Sequence, residues 1–191
     1  YIKPDQFPYA TPVAVEYDTG DYDATMDKLI EIADVGGFGA RRAESAAKGK
    51  LRGLGVCSYI EACGIAPSSL VGQLGARAGL YESATVRVNA TGSISVMTGS
   101  HSHGQGHETT FPQVVAEMIG IPADQIEIVH GDTSKVPMGM GTYGSRSIAV
   151  GGSAMVRAAE KIIAKTKKLA AHLMEASEAD IEMQDGTFSV A

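Results

Sequence analysis

The sequence predicts an α+β fold, in which a mixed sheet and hairpins pack against two helices that follow glycine-rich loops. Strand-like and helix-like patterns mix along the chain without regular βαβ alternation, which favours α+β over a doubly wound fold. Two glycine-rich polar segments, 99–110 and 139–147, each run directly into a helical pattern. A chain of 191 residues with 44% hydrophobic residues is long enough to bury a sizeable core.

The first part of the chain reads as an extended lead-in followed by short helices. Three prolines within residues 1–20 oppose a helix there. Asp21 or Asp23 is placed to cap a helix running to about Val35, which the glycines at 36–39 end. An alanine-rich helix over 40–50 and an apolar strand over 54–61 are predicted next.

The second part carries clearer periodicity. Alternating apolar and polar residues predict a hairpin of strands 84–89 and 93–98, and a single strand follows at 126–130. The predicted helices cover 108–119, ended by Gly120, and 147–176, and a closing hairpin joins 181–183 to 187–190. The expected core pairs the apolar faces of the hairpin and the long helix: Val86, Val88, Ile94 and Val96 against Met155, Ala158, Ile162, Leu169 and Leu173.

Composition excludes several function classes. The net charge of −6 argues against a general nucleic-acid binder, and no apolar run is long enough to span a membrane. Cys57 and Cys63 are too few for a disulfide framework, so we expect a reduced, cytoplasmic setting. We expect an extended lead-in and a helical segment over residues 1–50, and a ligand-binding α+β portion over 51–191. The chain begins with Tyr1, and we expect it to be part of a longer subunit.

The two glycine-rich segments predict an anion site. Glycines let backbone N–H groups approach a ligand closely, and a helix N-terminus adds partial positive charge. Residues 139–144 match the G-x-G-x-x-G dinucleotide pattern, but residues 133–138 separate them from the preceding strand, which disfavours a Rossmann site. The hydroxyls of Ser145 and Ser147 and the guanidinium of Arg146 follow, and they suit a pyrophosphate or a pterin.

Two other interpretations remain open from the residues alone. His101, His103 and His107 stand close enough in sequence to suggest a metal site, with Glu108 as a further ligand, or a metal-dependent hydrolase. Solvated or backbone-bonded histidines explain the same pattern. The spacing of the two cysteines is typical of neither zinc nor redox sites. A non-catalytic assembly domain that uses the long charged helix is the third hypothesis.

The segments Gly-Gln-Gly-His-Glu-Thr-Thr (104–110) and Gly-Thr-Tyr-Gly-Ser-Arg-Ser (141–147) together carry a resemblance. They are similar to the large, molybdenum-binding subunit of aerobic carbon monoxide dehydrogenases, and more broadly to the xanthine dehydrogenase and aldehyde oxidoreductase family. The segments 4–9 and 131–133 also resemble that group. Either motif alone is much less specific than the pair.

The resemblance implies that the chain holds part of a molybdopterin cofactor, in its cytosine dinucleotide form. It places Gln105, between Gly104 and Gly106, near the molybdenum without being a ligand of it. The pterin and its phosphate are implied to contact the loop before the long helix. That loop contributes Thr142, Gly144, Ser145, Arg146 and Ser147, with Arg146 either a phosphate partner or a clamp on the loop.

The resemblance also implies an enzyme larger than this chain. In the family, the catalytic glutamate lies beyond the position of Ala191 and the cysteine loop of true carbon monoxide dehydrogenases lies before Tyr1. We therefore expect no catalytic residue within these 191 residues and leave the substrate open. The implied partners are the remainder of the large subunit and subunits or domains with FAD and 2Fe–2S clusters, assembled as a dimer of heterotrimers.

Overall fold

The computed structural model describes residues 1–12, 15–64, 68–73, 75–77 and 80–191. The chain divides into two compact units, Tyr1–Tyr59 and Ile60–Ala191. The part of the lead-in prediction that concerns residues 13–14 lies outside the described residues. Among the described residues, none of the helices combines the length and apolarity that a membrane span requires.

The first unit contains two short strands and two helices. A 3₁₀ turn at Pro4–Gln6 precedes the antiparallel pair of β1 (Tyr9–Ala10) and β2 (Glu16–Tyr17), and α1 (Tyr22–Ile32) and α2 (Phe38–Ala47) follow. The side chain of Asp21 accepts a hydrogen bond from the Ala24 N–H at 3.0 Å, which confirms the predicted cap. A 3₁₀ turn at Val35–Gly37 confirms the predicted break between the helices.

The strand predicted at 54–61 is wrong in this structure. Residues 51–63 have no regular secondary structure, and each of them is exposed. A strand is stable only when a neighbouring strand completes its hydrogen-bond ladder. No described strand pairs with this segment, so its β propensity is not expressed.

The second unit is built around a three-stranded sheet. Its elements in chain order are α3 (Ser68–Gln73), β3 (Ala84–Val88), β4 (Ile94–Thr98), α4 (His107–Ile119), β5 (Ile126–Val129), a π-helical segment (Ser147–Gly152), α5 (Ser153–Leu173), β6 (Ile181–Gln184) and β7 (Thr187–Val190). Strands β3 and β4 form the predicted hairpin, and β5 pairs with β4 in parallel. The α+β prediction and both helices after glycine-rich loops are confirmed.

The core lies between this sheet and helices α4 and α5. Val96, Phe111, Val115, Met155 and Ala159 are completely buried there, and Ile162 packs against them from the side. The alternating pattern of β4 places its residues 94, 96 and 98 inward. The layout predicted from the hairpin and the long helix is therefore confirmed at its centre.

The predicted core extends too far at both ends. Val88, at the end of β3, is 49% exposed, and Leu169 and Leu173 of α5 are 56% and 71% exposed. Helix α5 continues past the sheet, so Leu169 and Leu173 on its predicted apolar face have no strand to pack against. There the helix buries Ala170 and Ala171 instead, against Ile181 of the closing hairpin.

Candidate functional site

The two glycine-rich loops begin at the same place in the fold. Loop 1 (residues 99–106) joins β4 to α4, and loop 2 (residues 139–146) leads into the π-helical segment and α5. A Cβ added to Gly99 would lie 2.0 Å from Cα of Gly139, so the two backbones touch. Only glycine permits such an approach, and it fixes the start of one loop against the start of the other.

Loop 2 is anchored from beneath by a buried ion pair. The side chains of Arg146 and Glu82 are both fully buried, with Nη1 of the arginine 3.2 Å from the carboxylate. The guanidinium also donates to the carbonyl oxygens of Gly141, Leu80 and Tyr81 at 2.5–3.0 Å. The same carboxylate oxygen, Oε2 of Glu82, also accepts the Met140 N–H at 3.2 Å, and Oε1 accepts the Ser83 N–H at 3.0 Å.

This geometry favours one of the two roles that the sequence leaves open for Arg146. Its Nη1 and Nη2 are bonded to protein oxygens, and its remaining donor, Nε, is buried without a partner among the described residues. The Tyr143 ring lies 5.4 Å from the guanidinium carbon. The side chain therefore clamps the loop and is not turned outward as a phosphate partner.

The clamp leaves several backbone N–H groups of loop 2 without a partner among the described residues. The N–H groups of residues 141–145 have no hydrogen-bond acceptor among the described residues. Gly144 and Ser145 both have positive φ, at 54° and 50°. Consecutive N–H groups near such a turn form a concave arrangement that binds anions. The segment then enters a helix, whose first N–H groups also lack intrahelical partners.

The hydroxyl groups of loop 2 are already engaged within the protein. Ser145 is exposed, and its Oγ donates to Glu61 at 2.5 Å, while its carbonyl accepts the Gly64 N–H at 2.9 Å. Ser147 is buried and donates to the Thr142 hydroxyl at 2.8 Å. These bonds position the backbone of the loop, so its free donors are amide groups and not hydroxyls.

Loop 1 presents Gln105 on an exposed turn. The side-chain oxygen of Gln105 accepts the His103 N–H at 2.5 Å, which leaves the amide NH₂ as its free group. Gly104 and Gly106 flank it with positive φ, and a Cβ at either position would meet nothing within 4 Å. The same is true of Gly141 in loop 2. Glycine backbone therefore faces open space on both loops, and loop 1 adds the neutral NH₂ donor of Gln105.

The histidine metal hypothesis is wrong in this structure. The side chain of His107 is turned into the core, where Nδ1 lies 3.1 Å from the Ser100 carbonyl and the ring stacks on Phe111. His101 and His103 stay on the surface with ring centroids 5.0 Å apart. The described residues contain no group of three or more histidine, cysteine or acidic side chains that could hold a metal ion.

A different histidine joins the surface pair. His130, directly after β5, lies with Nδ1 3.1 Å from Nδ1 of His101 and Nε2 2.8 Å from the carboxylate of Glu108. The pKa of Glu108 is lowered, first by its own backbone N–H and then by the His130 hydrogen bond. This arrangement forms because β5 runs parallel to β4, which brings the ends of both strands to one edge of the sheet.

The donors fit an anionic, ring-containing cofactor. Open backbone N–H groups suit phosphate oxygens, the glycine positions leave room for close approach, and the Gln105 amide is neutral. The charge of Glu82 is compensated by Arg146 beneath loop 2, whereas the exposed Glu61 carboxylate accepts the Ser145 hydroxyl and places a negative charge at the edge of the loop. The residues present are therefore compatible with a pterin–phosphate group, although the Arg146 side chain does not contribute.

Sequence reasoning missed three residues that shape the site: Glu82, His130 and Glu61. Each lies far along the chain from its partner, and no short motif contains both members of any pair. A buried guanidinium requires an acidic partner, but the burial of Arg146 is seen only in the fold. The sequence alone therefore does not indicate any of these three residues.

Comparison with known proteins identifies the family of the chain. A molybdopterin cofactor-binding domain model matches residues 28–191. The chain is 40% identical to the carbon monoxide dehydrogenase large chain of Hydrogenophaga pseudoflava, covering 100% of this chain and 24% of that protein. It is 37% identical to the nicotine 6-hydroxylase large subunit of Paenarthrobacter nicotinovorans, over 97% of this chain and 22% of the relative.

Solved structures give the same result. The chain matches Cu,Mo-CO dehydrogenase in its carbon monoxide reduced state with a TM-score of 0.67 and 39% identity, over 100% of this chain and 24% of that one. Quinoline 2-oxidoreductase from Pseudomonas putida 86 matches with a TM-score of 0.72 and 37% identity, over 98% and 24%. The chain thus spans about a quarter of these relatives. It belongs to the molybdopterin cofactor-binding domain family.

Proposed function

We propose that loops 1 and 2 hold a molybdopterin cofactor between them, as part of the large subunit of a molybdenum-dependent oxidoreductase. The observation that carries this proposal is the row of open backbone N–H groups at residues 141–145, which leads into a helix. The touching backbones of Gly99 and Gly139 support it, because they start both loops from one point.

The proposed contacts divide between the loops. The backbone of residues 142, 144 and 145 in loop 2, and of residue 147 at the start of the π-helical segment, binds the phosphate and pterin, and Arg146 acts from beneath by holding the loop in shape. In loop 1, Gly104 and Gly106 allow close approach, and Gln105 places its NH₂ group beside the metal end. When bound, the cofactor supplies two-electron oxidation of a substrate, and the protein supplies orientation and electrostatics.

The whole enzyme is proposed from its relatives. Two of them are described as the large chain or large subunit of their enzymes, which supports further subunits here as well. We propose the cytosine dinucleotide form of the cofactor, partners that carry FAD and 2Fe–2S clusters, and a dimer of heterotrimers. Cys57 and Cys63 are both free and exposed, which supports a reducing, cytoplasmic location. The named substrates of the relatives differ, so the substrate class stays open.

The test is the molybdenum and nucleotide content of the purified enzyme. We expect stoichiometric molybdenum and the release of CMP on acid hydrolysis. Ser145→Pro removes an amide donor and conflicts with the φ of 50° at that position, so it should lower the molybdenum content. Ser145→Ala is the matched control, because it loses the hydroxyl but keeps the N–H, and it should retain the metal.

A second variant separates binding from turnover. Gln105→Ala removes one neutral contact near the metal end and should lower turnover more than molybdenum content. Gln113→Ala, on the exposed face of α4, is its control and should change neither. Full molybdenum content in Ser145→Pro, or metal-free enzyme from cells that supply the cofactor, would contradict the proposal.

A further inference from the structure

We propose that His101, His130 and Glu108 form a proton relay beside loop 1, which carries a proton from the His101 ring to the surface carboxylate of Glu108. The inference rests on the proposed function, because it assigns the relay to the protons released when a substrate is oxidised. The chain of contacts is continuous, at 3.1 Å between the two Nδ1 atoms and 2.8 Å between His130 Nε2 and Glu108.

The hydrogen bonds fix which nitrogen carries each proton. An ionised carboxylate only accepts hydrogen bonds, so Nε2 of His130 must be its donor. Nδ1 of neutral His130 is then an acceptor, and the facing Nδ1 of His101 must carry the hydrogen. Nε2 of His101 is left as a free acceptor with no partner among the described residues. The lowered pKa of Glu108 keeps its carboxyl ionised at neutral pH.

This tautomer pattern allows one proton to pass along the relay while the net charge of the relay stays the same. A proton taken up at Nε2 of His101 is followed by transfer of the Nδ1 proton of His101 to Nδ1 of His130. The Nε2 proton of His130 then leaves through the Glu108 carboxylate to solvent, and no electrons move. The transfer leaves His101 protonated at Nε2 and His130 protonated at Nδ1, with a ring lone pair of His130 facing the carboxylate. A proton from solvent then returns through Glu108 to Nε2 of His130, the Nδ1 proton of His130 passes back to Nδ1 of His101, and the exposed Nε2 of His101 releases its proton to water, which restores the starting tautomers.

The surroundings of the relay favour this direction. His130 is largely buried, with a side-chain exposure of 13%, whereas Glu108 is 57% exposed and reaches solvent. Gly131 follows His130, and a Cβ there would lie 3.0 Å from Nδ1 of His101, so the glycine leaves room for the ring. Other titratable groups nearby are His103 against the His101 ring, His107 at the start of α4, and the Asp132–Lys135 pair after β5.

The relay begins within loop 1, because His101 is one of the residues of that loop. The ring of His103 contacts His101 edge to face, and the backbone N–H of His103 donates to Gln105. His101 is thus the end of the relay that lies in the loop proposed to hold the cofactor. Neither His101, His130 nor Glu108 is needed to hold the fold, because all three lie outside the buried core.

The tautomers are measured directly on the ¹⁵N-labelled protein, without cofactor or activity. Long-range ¹H–¹⁵N spectra at pH 8 should show His130 protonated at Nε2 and His101 protonated at Nδ1. In Glu108→Gln, the amide can donate or accept, so the single tautomer of His130 should give way to a mixture. Glu117→Gln on the same helix is the control and should leave both rings unchanged. His101 protonated at Nε2 in the unaltered protein would overturn the relay.

The assembled enzyme gives the second readout. His101→Ala should keep its molybdenum content and lose turnover by about 10²-fold, the lower end for a lost proton-transfer group. Imidazole in solution should restore part of that loss, because His101 is exposed, and a merely structural role would not respond to it. Full turnover in His101→Ala, or a loss that imidazole does not restore, would overturn the relay. Enzyme without molybdenum would instead contradict the proposed function, and the tautomer measurement would still decide the relay.

Discussion

Loops 1 and 2 look alike in sequence but are stabilised in different ways. Both are rich in glycine, both carry polar side chains and both enter a helix. Loop 2 is tied to the protein interior by the buried Arg146–Glu82 pair, whereas loop 1 is tied by surface contacts among His101, His130 and Glu108. The difference indicates a rigid loop that offers backbone donors and a more exposed loop that offers side chains.

The contacts that hold the two loops should contribute differently to the stability of the fold. Breaking a buried ion pair leaves an uncompensated charge in the interior, which costs about 3–5 kcal/mol. Surface pairs contribute about 0–1 kcal/mol, because solvent screens them. We therefore expect single substitutions in the anchor of loop 2 to affect global stability, and substitutions in the contacts of loop 1 to leave it nearly unchanged.

The largest predicted effect is that of Arg146→Met. It leaves the Glu82 carboxylate buried without its cation and removes three hydrogen bonds to backbone carbonyls, so the free energy of unfolding should fall by about 3–5 kcal/mol. Urea denaturation measures the change. Arg157→Met is the control, since that side chain is 78% exposed, and it should cost no more than about 1 kcal/mol.

A double variant sharpens the first prediction. Glu82→Leu removes the charge that Arg146→Met leaves behind. The double variant should therefore lose less unfolding free energy than the two single variants lose in total. Equal stability of Arg146→Met and the unaltered protein would mean that the pair does not anchor loop 2.

The second prediction concerns the point where the loops touch. Gly99→Ala introduces a Cβ only 2.0 Å from Cα of Gly139, and the backbone must move to accommodate it. Overpacking of this kind costs about 1–3 kcal/mol, measured by thermal or urea unfolding. Gly72→Ala in α3 is the matched control. A Cβ there meets nothing within 4 Å, and alanine in a helix should be neutral or stabilising by up to about 1 kcal/mol. An unchanged Gly99→Ala protein would contradict the close approach.

How far the sequence predicts this molecule depends on the range of each interaction. The β3–β4 hairpin and the helix ended by Gly120 were predictable, because their signals are local: alternation over a few residues and a glycine at φ 79°. The strand expected at 54–61 was wrong because a strand also needs a partner, and that information is not local.

The site shows the same limit. The glycine spacing indicated both loops, but the partners of Arg146 and His101 lie 64 and 29 residues away in sequence. The metal hypothesis grouped His101 with His107 by proximity in sequence. The fold instead turns His107 into the core and brings His130 in across the parallel strands. Spacing predicts which residues are near in the chain, and topology decides which are near in space.

The third prediction concerns Ser100, which directly follows Gly99 at the point where the two loops touch. Ser100 is completely buried, and its hydroxyl has no hydrogen-bond partner among the described residues. Ser100→Ala removes an unsatisfied polar group and should leave the free energy of unfolding unchanged or raise it by about 1 kcal/mol. Thr98→Val is the contrasting variant, because the Thr98 hydroxyl accepts the Ser100 N–H at 3.2 Å and its loss should cost about 1–3 kcal/mol. A large loss in Ser100→Ala would show that its hydroxyl is engaged.

The smallest predicted effects are those on two carboxyl groups, one beside each loop. The pKa of Asp132, on the approach to loop 2, is lowered chiefly by the Ser134 hydroxyl and then by the Ser134 N–H. The pKa of Glu108, beside loop 1, is lowered chiefly by its own N–H and then by His130. Ser134→Ala therefore removes the larger cause for Asp132, whereas His130→Ala removes only the second cause for Glu108.

A carboxyl group whose pKa is lower in the folded state stabilises the fold above its unfolded pKa, and the contribution is lost as the pH falls through the folded pKa. Ser134→Ala should thus be less stable than the unaltered protein at neutral pH, with the difference disappearing in acid. Carboxyl ¹³C titrations should show the pKa of Asp132 rising in Ser134→Ala by more than the pKa of Glu108 rises in His130→Ala. The opposite order would mean that His130 holds the Glu108 carboxylate more strongly than Ser134 holds the Asp132 carboxylate.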